Sequence, residues 1–121
     1  MPRRTRSHVV VTVTAPDPDT ARRLARGALE DRLAACVQIL PGLESHYWWK
    51  GRLESASEVL LCFKTTPARV RPLEARVRQL HPYDTPEFLV LPVAAGLARY
   101  LDWMTAETRA PARGRKPAGG G

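Results

Sequence analysis

The stretch CVQILPGLESHYWWKGRLESASEVLLCFKTT, residues 36–66, decides the fold. Apolar residues alternate with polar ones along much of it, which is the period of a strand and not of a helix. Two breaks divide it: Pro41-Gly42 makes a bend, and Lys50-Gly51 makes a tight turn between alternating runs, as a β-hairpin requires. The stretch therefore reads as strand, bend, strand, turn, strand. Within SHYWWKG, Tyr47 and Trp49 point to one side of a strand and Trp48 to the other, so one face of a monomer cannot hide both indoles. One side must meet another chain.

Upstream, the β-branched run HVVVTVTA (8–15) suits a strand buried on both faces. It stops at Pro16. Asp17 then places a capping carboxylate one position ahead of Pro18, whose missing N–H costs nothing in a first helical turn. From there Ala21, Leu24, Ala25, Ala28, Leu29 and Leu33 form an apolar stripe, while Arg22, Arg23, Arg26, Glu30 and Asp31 face away. Downstream, Val70, Leu73, Val77 and Leu80 mark a second helix with two possible starts. Either Thr66 caps it and Pro72 removes an internal hydrogen bond, or regular helix begins only near Pro72. FLVLPV (88–93) is a short strand, and Leu97, Tyr100, Leu101 and Met104 predict a closing helix over 97–107, with Tyr100 and Trp103 packed on the sheet edge. This order gives an α+β fold: a ferredoxin-like (βαββαβ) sandwich of helices on one face of an antiparallel sheet, with an extended hairpin and an added C-terminal helix. The second face of such a sheet needs cover too, and oligomerisation supplies it.

The 121 residues suit one domain, and the net charge of +7 needs placing before it is interpreted. Arg3, Arg4 and Arg6 at the start, with Arg109, Arg113, Arg115 and Lys116 at the end, account for seven cations; the other twelve are matched by all twelve acids. The expected organisation is a basic disordered N-terminus (1–7), a formally neutral folded body (8–107) and a disordered basic tail (108–121). Such tails hold polyanions only in a salt-dependent way, so no specific nucleic acid is implied. No apolar run approaches the ~20 residues that span a bilayer, and no secretion signal opens the chain, so a cytoplasmic protein with no membrane partner is expected. Cys36 and Cys62 lie in apolar segments without CxxC spacing and read as reduced thiols.

HPYDTPE (81–87) gathers a histidine, a tyrosine and two carboxylates between prolines. As structure, His81 suits the negative end of a helix, Asp84 can bond its own turn and Glu87 can pair with an arginine. As catalysis, the stretch has no Ser-His-Asp companion and no phosphate-cradling glycine loop, so no enzyme is implied. His8 and His46 have no partner suggested by spacing and read as incidental.

TAPD (14–17), LAACV (33–37), YWWKG (47–51), LCFKTT (61–66), HPYDTPE and YLDWM (100–104) together resemble CutA, the divalent-cation tolerance family, over residues 8–107. The resemblance implies a PII-like homotrimer, without established enzymatic activity, linked to tolerance of copper and other divalent metal ions. Family copper ligands would fall at Val13, Leu80 and His81, of which only His81 is a ligand type. Cys36 matches a family cysteine, and Gln38 stands where the family usually has Asn. The implied metal set is His81, Cys36 and Glu87, holding Cu²⁺ or another divalent cation, if the second strand passes beside the turn or a second subunit supplies it. The implied ligand pocket and trimer interface comprise Tyr47, Trp48, Trp49, Lys64 and Tyr83.

Three readings compete. The first is a trimer that binds metal ions or, as a PII-like sensor without a tight metal site, a small ligand between subunits. The second is a nucleic-acid binder, whose stacking aromatics are missing from HVVVTVTA and reduced to Phe63 in EVLLCFKT. The third is an enzyme using His81 as general acid or base.

Overall fold

A computed structural model describes residues 1–109; the expected tail from residue 110 onward lies outside the described residues. Nine elements follow in order: β1 (Arg3–Arg4), β2 (Val9–Ala15), α1 (Pro18–Glu30), β3 (Cys36–Trp49), β4 (Arg52–Thr65), α2 (Pro67–Leu80), β5 (Leu89–Pro92), β6 (Ala95–Gly96) and α3 (Ala98–Glu107). The main sheet runs β3-β4-β2-β5 with every pairing antiparallel.

Alternation along the two central strands sends Val9, Val11, Val13 and Ala15 of β2, and Val59, Leu61, Phe63 and Thr65 of β4, to the face beneath α1 and α2. Leu24 and Ala28 of α1, with Leu73 and Val77 of α2, close that core. Gly27 lets the helices approach: a Cβ there would stand 2.6 Å from Leu80 Cδ1.

Asp17 caps α1 by accepting the Thr20 N–H at 2.7 Å. The same bond, stronger to a carboxylate than to a carboxylic acid, holds its pKa below the ordinary 3.8. The helix stops earlier than its apolar stripe suggests. Arg32 adopts the left-handed conformation (φ 58°), Leu33 N–H bonds Ala28 O at 2.9 Å and Arg32 N–H bonds Leu29 O at 3.1 Å. This is a Schellman closure with arginine where glycine is usual. Leu33 reaches the core from beyond the helix, and Leu29 is left exposed. For α2 the longer alternative is realised, with Pro72 inside the helix.

Lys50 (φ 51°) and Gly51 (φ 75°) give the hairpin a two-residue turn with both central residues left-handed, matching the twist of its strands. At Pro41-Gly42 the pairing slips between Leu40 and Leu43, with Gly42 at φ 86°. Pairing of β2 with β4 ends at Ala15–Val59, so the ribbon beyond it, Glu44 to Ser57, is a two-stranded arm.

Two expectations are corrected at the sheet's other end. Residues 1–7 are not without structure, because Arg3 and Arg4 pair with Gly96 and Ala95 and Arg3 binds Asp102 at 2.7 Å. His8 is not incidental: it is buried, its Nδ1 faces the Thr5 hydroxyl, and its Nε2 lies 2.9 Å from both Leu101 O and Thr105 Oγ1. Since a carbonyl only accepts, Nε2 carries the hydrogen and Nδ1 accepts from Thr5. Tyr100 and Trp103 lean on each other at 5.4 Å, and Tyr100 receives a bond from Lys64 of the central strand β4 at 3.3 Å.

Two outcomes are expected. Phe63→Ala, which empties a fully buried site, lowers unfolding free energy by about 3–5 kcal/mol in urea denaturation at fixed protein concentration; a loss near zero would mean that the strands do not pack as described. Asp17→Asn weakens the native state at neutral pH and loses this deficit in acid. The sign follows from the depressed carboxyl: its contribution is complete above 3.8 and disappears as pH falls through the folded value. A deficit that stays constant through the acid range contradicts the cap.

Candidate functional site

A cleft of about 580 Å³ opens where the arm leaves the body. Three elements build it. β4 supplies Glu58, one residue beyond the last pair with β2; the turn between α2 and β5 supplies Tyr83, Asp84, Thr85 and Glu87; the arm supplies Ser45, His46, Tyr47 and Trp49. Thr14 of β2 lies at its floor.

Tyr83 donates its hydroxyl hydrogen to Glu58 Oε2 at 3.0 Å. Burial of the hydroxyl and then this bond push the phenol pKa up to about 12, so Tyr83 stays a neutral donor at physiological pH. Glu87 accepts from the Thr12 hydroxyl at 2.9 Å and pairs with no arginine among the described residues. His46, read as incidental, lines the cleft and donates from Nε2 to Glu44 at 2.9 Å.

His81 serves this arrangement from behind. Its Nδ1 accepts the Tyr83 N–H at 3.1 Å, so its Nε2 carries the hydrogen and donates to Thr14 O at 2.7 Å. The ring lies 4.7 Å from that of Tyr83. His81 thus ties the turn to β2 and aims the tyrosine into the cleft.

The implied copper set can be tested on these contacts. A neutral imidazole binds a metal through its unprotonated nitrogen, and that nitrogen of His81 is already an acceptor within the chain. Val13 is fully buried in the core and Leu80 packs against it. Cys36 pairs with Lys64, whereas His81 bonds Thr14, which pairs with Leu60 four residues away along β4, a separation of ~13 Å at ~3.3 Å per residue, with a strand between them besides. Cys36 and His81 are therefore not brought together within one chain. Among the described residues no three of His, Cys, Asp and Glu gather closely enough to hold an ion. The groups present do not fit a copper centre on His81, Cys36 and Glu87 of one chain, and no chemistry is derived through one.

Of the residues assigned to the pocket, Tyr47, Trp49 and Tyr83 meet at the cleft. Trp48 points to the opposite face of the arm and is 72% exposed, and Lys64 lies at the far end of the sheet against Tyr100. Glu58 and Thr14 went unnoticed in the sequence. The one available signal was an acid directly preceding the apolar run VLLCF on a central strand. Chemically, the cleft offers carboxylates, a phenol donor and an indole face, a lining suited to a small ligand that carries hydrogen-bond donors.

Comparison with known proteins places this geometry in a family. Residues 9–107 match the family model described as CutA1 divalent ion tolerance protein. The divalent-cation tolerance protein CutA of Pectobacterium atrosepticum is 50% identical over 101 residues, covering 84% of this chain and 92% of that one. The protein of the same description from Thermus thermophilus is 46% identical, covering 82% and 96%. Among solved structures, the divalent cation tolerance protein of Thermus thermophilus superposes with a TM-score of 0.83 at 45% identity, covering 84% of this chain and 99% of that one. CutA from Synechococcus elongatus gives 0.85 at 33% identity, covering 90% and 96%. With the model matched across nearly the whole described chain and relatives about half identical, the chain belongs to the CutA1 divalent ion tolerance protein family.

Proposed function

We propose that the chain acts in divalent-cation tolerance as one subunit of a non-enzymatic homotrimer of ferredoxin-like, PII-like build, and that the cleft beside Glu58 and Tyr83 senses a small ligand at a seam between subunits. The arm carries this reading. Beyond Val59 it is two strands wide, Trp48 and Leu53 stand largely exposed, and such a ribbon is marginal in water without a partner. The sheet face away from α1 and α2 adds Leu40, Leu89 and Leu91, also exposed. Identical copies packed on arm and face would cover these residues and close the cleft mouth. The tolerance role rests on the family, whose members from Pectobacterium and Thermus carry that description.

The small-ligand form of this reading is preferred to copper capture by His81, because both imidazole nitrogens are engaged. A second reading keeps a divalent ion in the cleft, held by oxygen donors. It is favoured by the lining carboxylates Glu58, Asp84 and Glu87, which suit hard cations and would need a neighbouring copy to complete the shell. For compartment, two free thiols fit a reducing cytoplasm. No helix among the described residues is long and apolar enough to cross a membrane. Relatives from rice and Arabidopsis are named chloroplastic, and the one from Archaeoglobus fulgidus periplasmic.

Solution mass tests the assembly: at micromolar concentration the native chain sediments as a trimer, and Trp48→Asp with Leu53→Asp shifts it to smaller species. A monomeric native chain would remove the seam. Calorimetric titration with Cu²⁺ and Zn²⁺ tests the metal set: native protein, Cys36→Ser and His81→Ala are expected to titrate alike. A Cys36→Ser variant that loses a Cu²⁺ equivalent, while remaining folded, would reinstate the thiolate centre.

A further inference from the structure

At the end of the sheet remote from Glu58 lies a second cleft, of about 730 Å³, between the N-terminal segment, the start of α2 and the end of α3. Arg6, Arg69 and Arg109 line it, and no carboxylate or aromatic side chain does. None of the three guanidinium groups forms an ion pair among the described residues, and the sequence after Glu107 contains no Asp or Glu. Three cations facing one cavity without a counter-charge repel one another, and an anion between them relieves that repulsion.

We propose that this cleft binds a small phosphorylated anion of the pyrophosphate class through Arg6, Arg69 and Arg109. Arg69 is already oriented for it. Its Nε donates to Thr108 O at 2.8 Å, and Thr108 is itself fixed by its hydroxyl bond to Met104 O at 2.7 Å. That leaves the two terminal nitrogens of Arg69 as a fork, the arrangement that meets two phosphate oxygens at once. Arg6 and Arg109 are exposed and sit on the two termini that frame the cleft, so they can close on an anion from either side. Hydroxyl donors are at hand as well: Ser7 lines the cleft, and the Thr66 side chain makes no capping bond to α2, in contrast to Asp17 on α1. The volume lies within the range of small-ligand sites and exceeds the needs of a lone monovalent ion. The absence of an aromatic from the lining argues against a nucleic-acid strand, whose bases need a stacking surface.

This site shares no lining residue with the Glu58 cleft. Titration of the full chain with sodium pyrophosphate at low ionic strength is expected to show saturable binding, one anion per chain, that weakens with added salt. Arg69→Ala weakens it about tenfold or more, and Arg69→Lys, which keeps the charge but loses the fork, recovers only part of that. Arg6→Ala and Arg109→Ala each weaken it as well, which preserves the test if an Arg69 variant fails to fold. Arg71→Ala, on the same helix but outside the cleft, leaves it unchanged. Absence of saturable binding would overturn the proposal. So would loss of binding on replacing Arg113, Arg115 and Lys116 with the three cleft arginines intact, because the tail would then be the binder. Tight binding of an oligothymidylate that pyrophosphate cannot displace would overturn it in favour of nucleic acid.

Discussion

The hairpin of β3 and β4 runs past the last residue with which β2 can pair, and a ribbon in that position leaves its backbone edges and both its faces to be satisfied elsewhere. Tyr47, Trp48 and Trp49 sit on that ribbon because alternation distributes three successive aromatics over two faces, whatever the body of the protein does. The exposed indoles are thus a consequence of register. The arm keeps its pairing along its whole length, since its turn at Lys50-Gly51 is tight and its strands are paired to the tip.

The cleft follows from where the arm departs. Glu58 lies at the step between three-strand and two-strand width, so its side chain is buried while the space beside it stays open. That carboxylate needs a donor, and Tyr83 provides one only because His81 holds the turn against β2 through both ring nitrogens. An imidazole with two intrachain partners is a brace. Val13 and Leu80, at the two positions where the resemblance places further ligands, offer no donor atom beside it.

Local signals were readable where the cause is local. Asp17-Pro18 announced the start of α1, Lys50-Gly51 the turn, the β-branched run of residues 8–15 one central strand and alternation the other, because each depends on neighbours within a few residues. Non-local pairings were not readable. β1 exists because Ala95-Gly96 passes beside Arg3-Arg4, and His8 finds its partners on α3, at Leu101 O and Thr105 Oγ1; neither pairing leaves a trace in spacing. The apolar stripe of α1 ran on to Leu33 because a Schellman closure returns the chain to the same core, which imitates another helical turn. Of the residues singled out by type, Tyr47, Trp49, Tyr83 and Glu87 line the cleft, while Cys36 and Lys64 lie farther along the sheet because strand register, which sets distance along it, is invisible to motif order.

Charge divides between the two ends of β4, with cations of the chain's basic ends, Arg6 and Arg109, joining Arg69 of the formally neutral body at one of them. At one end Glu58, Asp84 and Glu87 surround the first cleft; at the other, past Thr65, Arg6, Arg69 and Arg109 surround the second. Residues 58 and 66 are eight positions apart, so the two clusters are separated by ~26 Å of strand, beyond the ~8–10 Å over which physiological salt lets exposed charges act on one another. The charge at each end is therefore screened from the other. A group that neutralises one cluster cannot relieve the other, and a single chain has room for a donor-rich or cationic partner at the arm and an anionic one at the termini without competition between them.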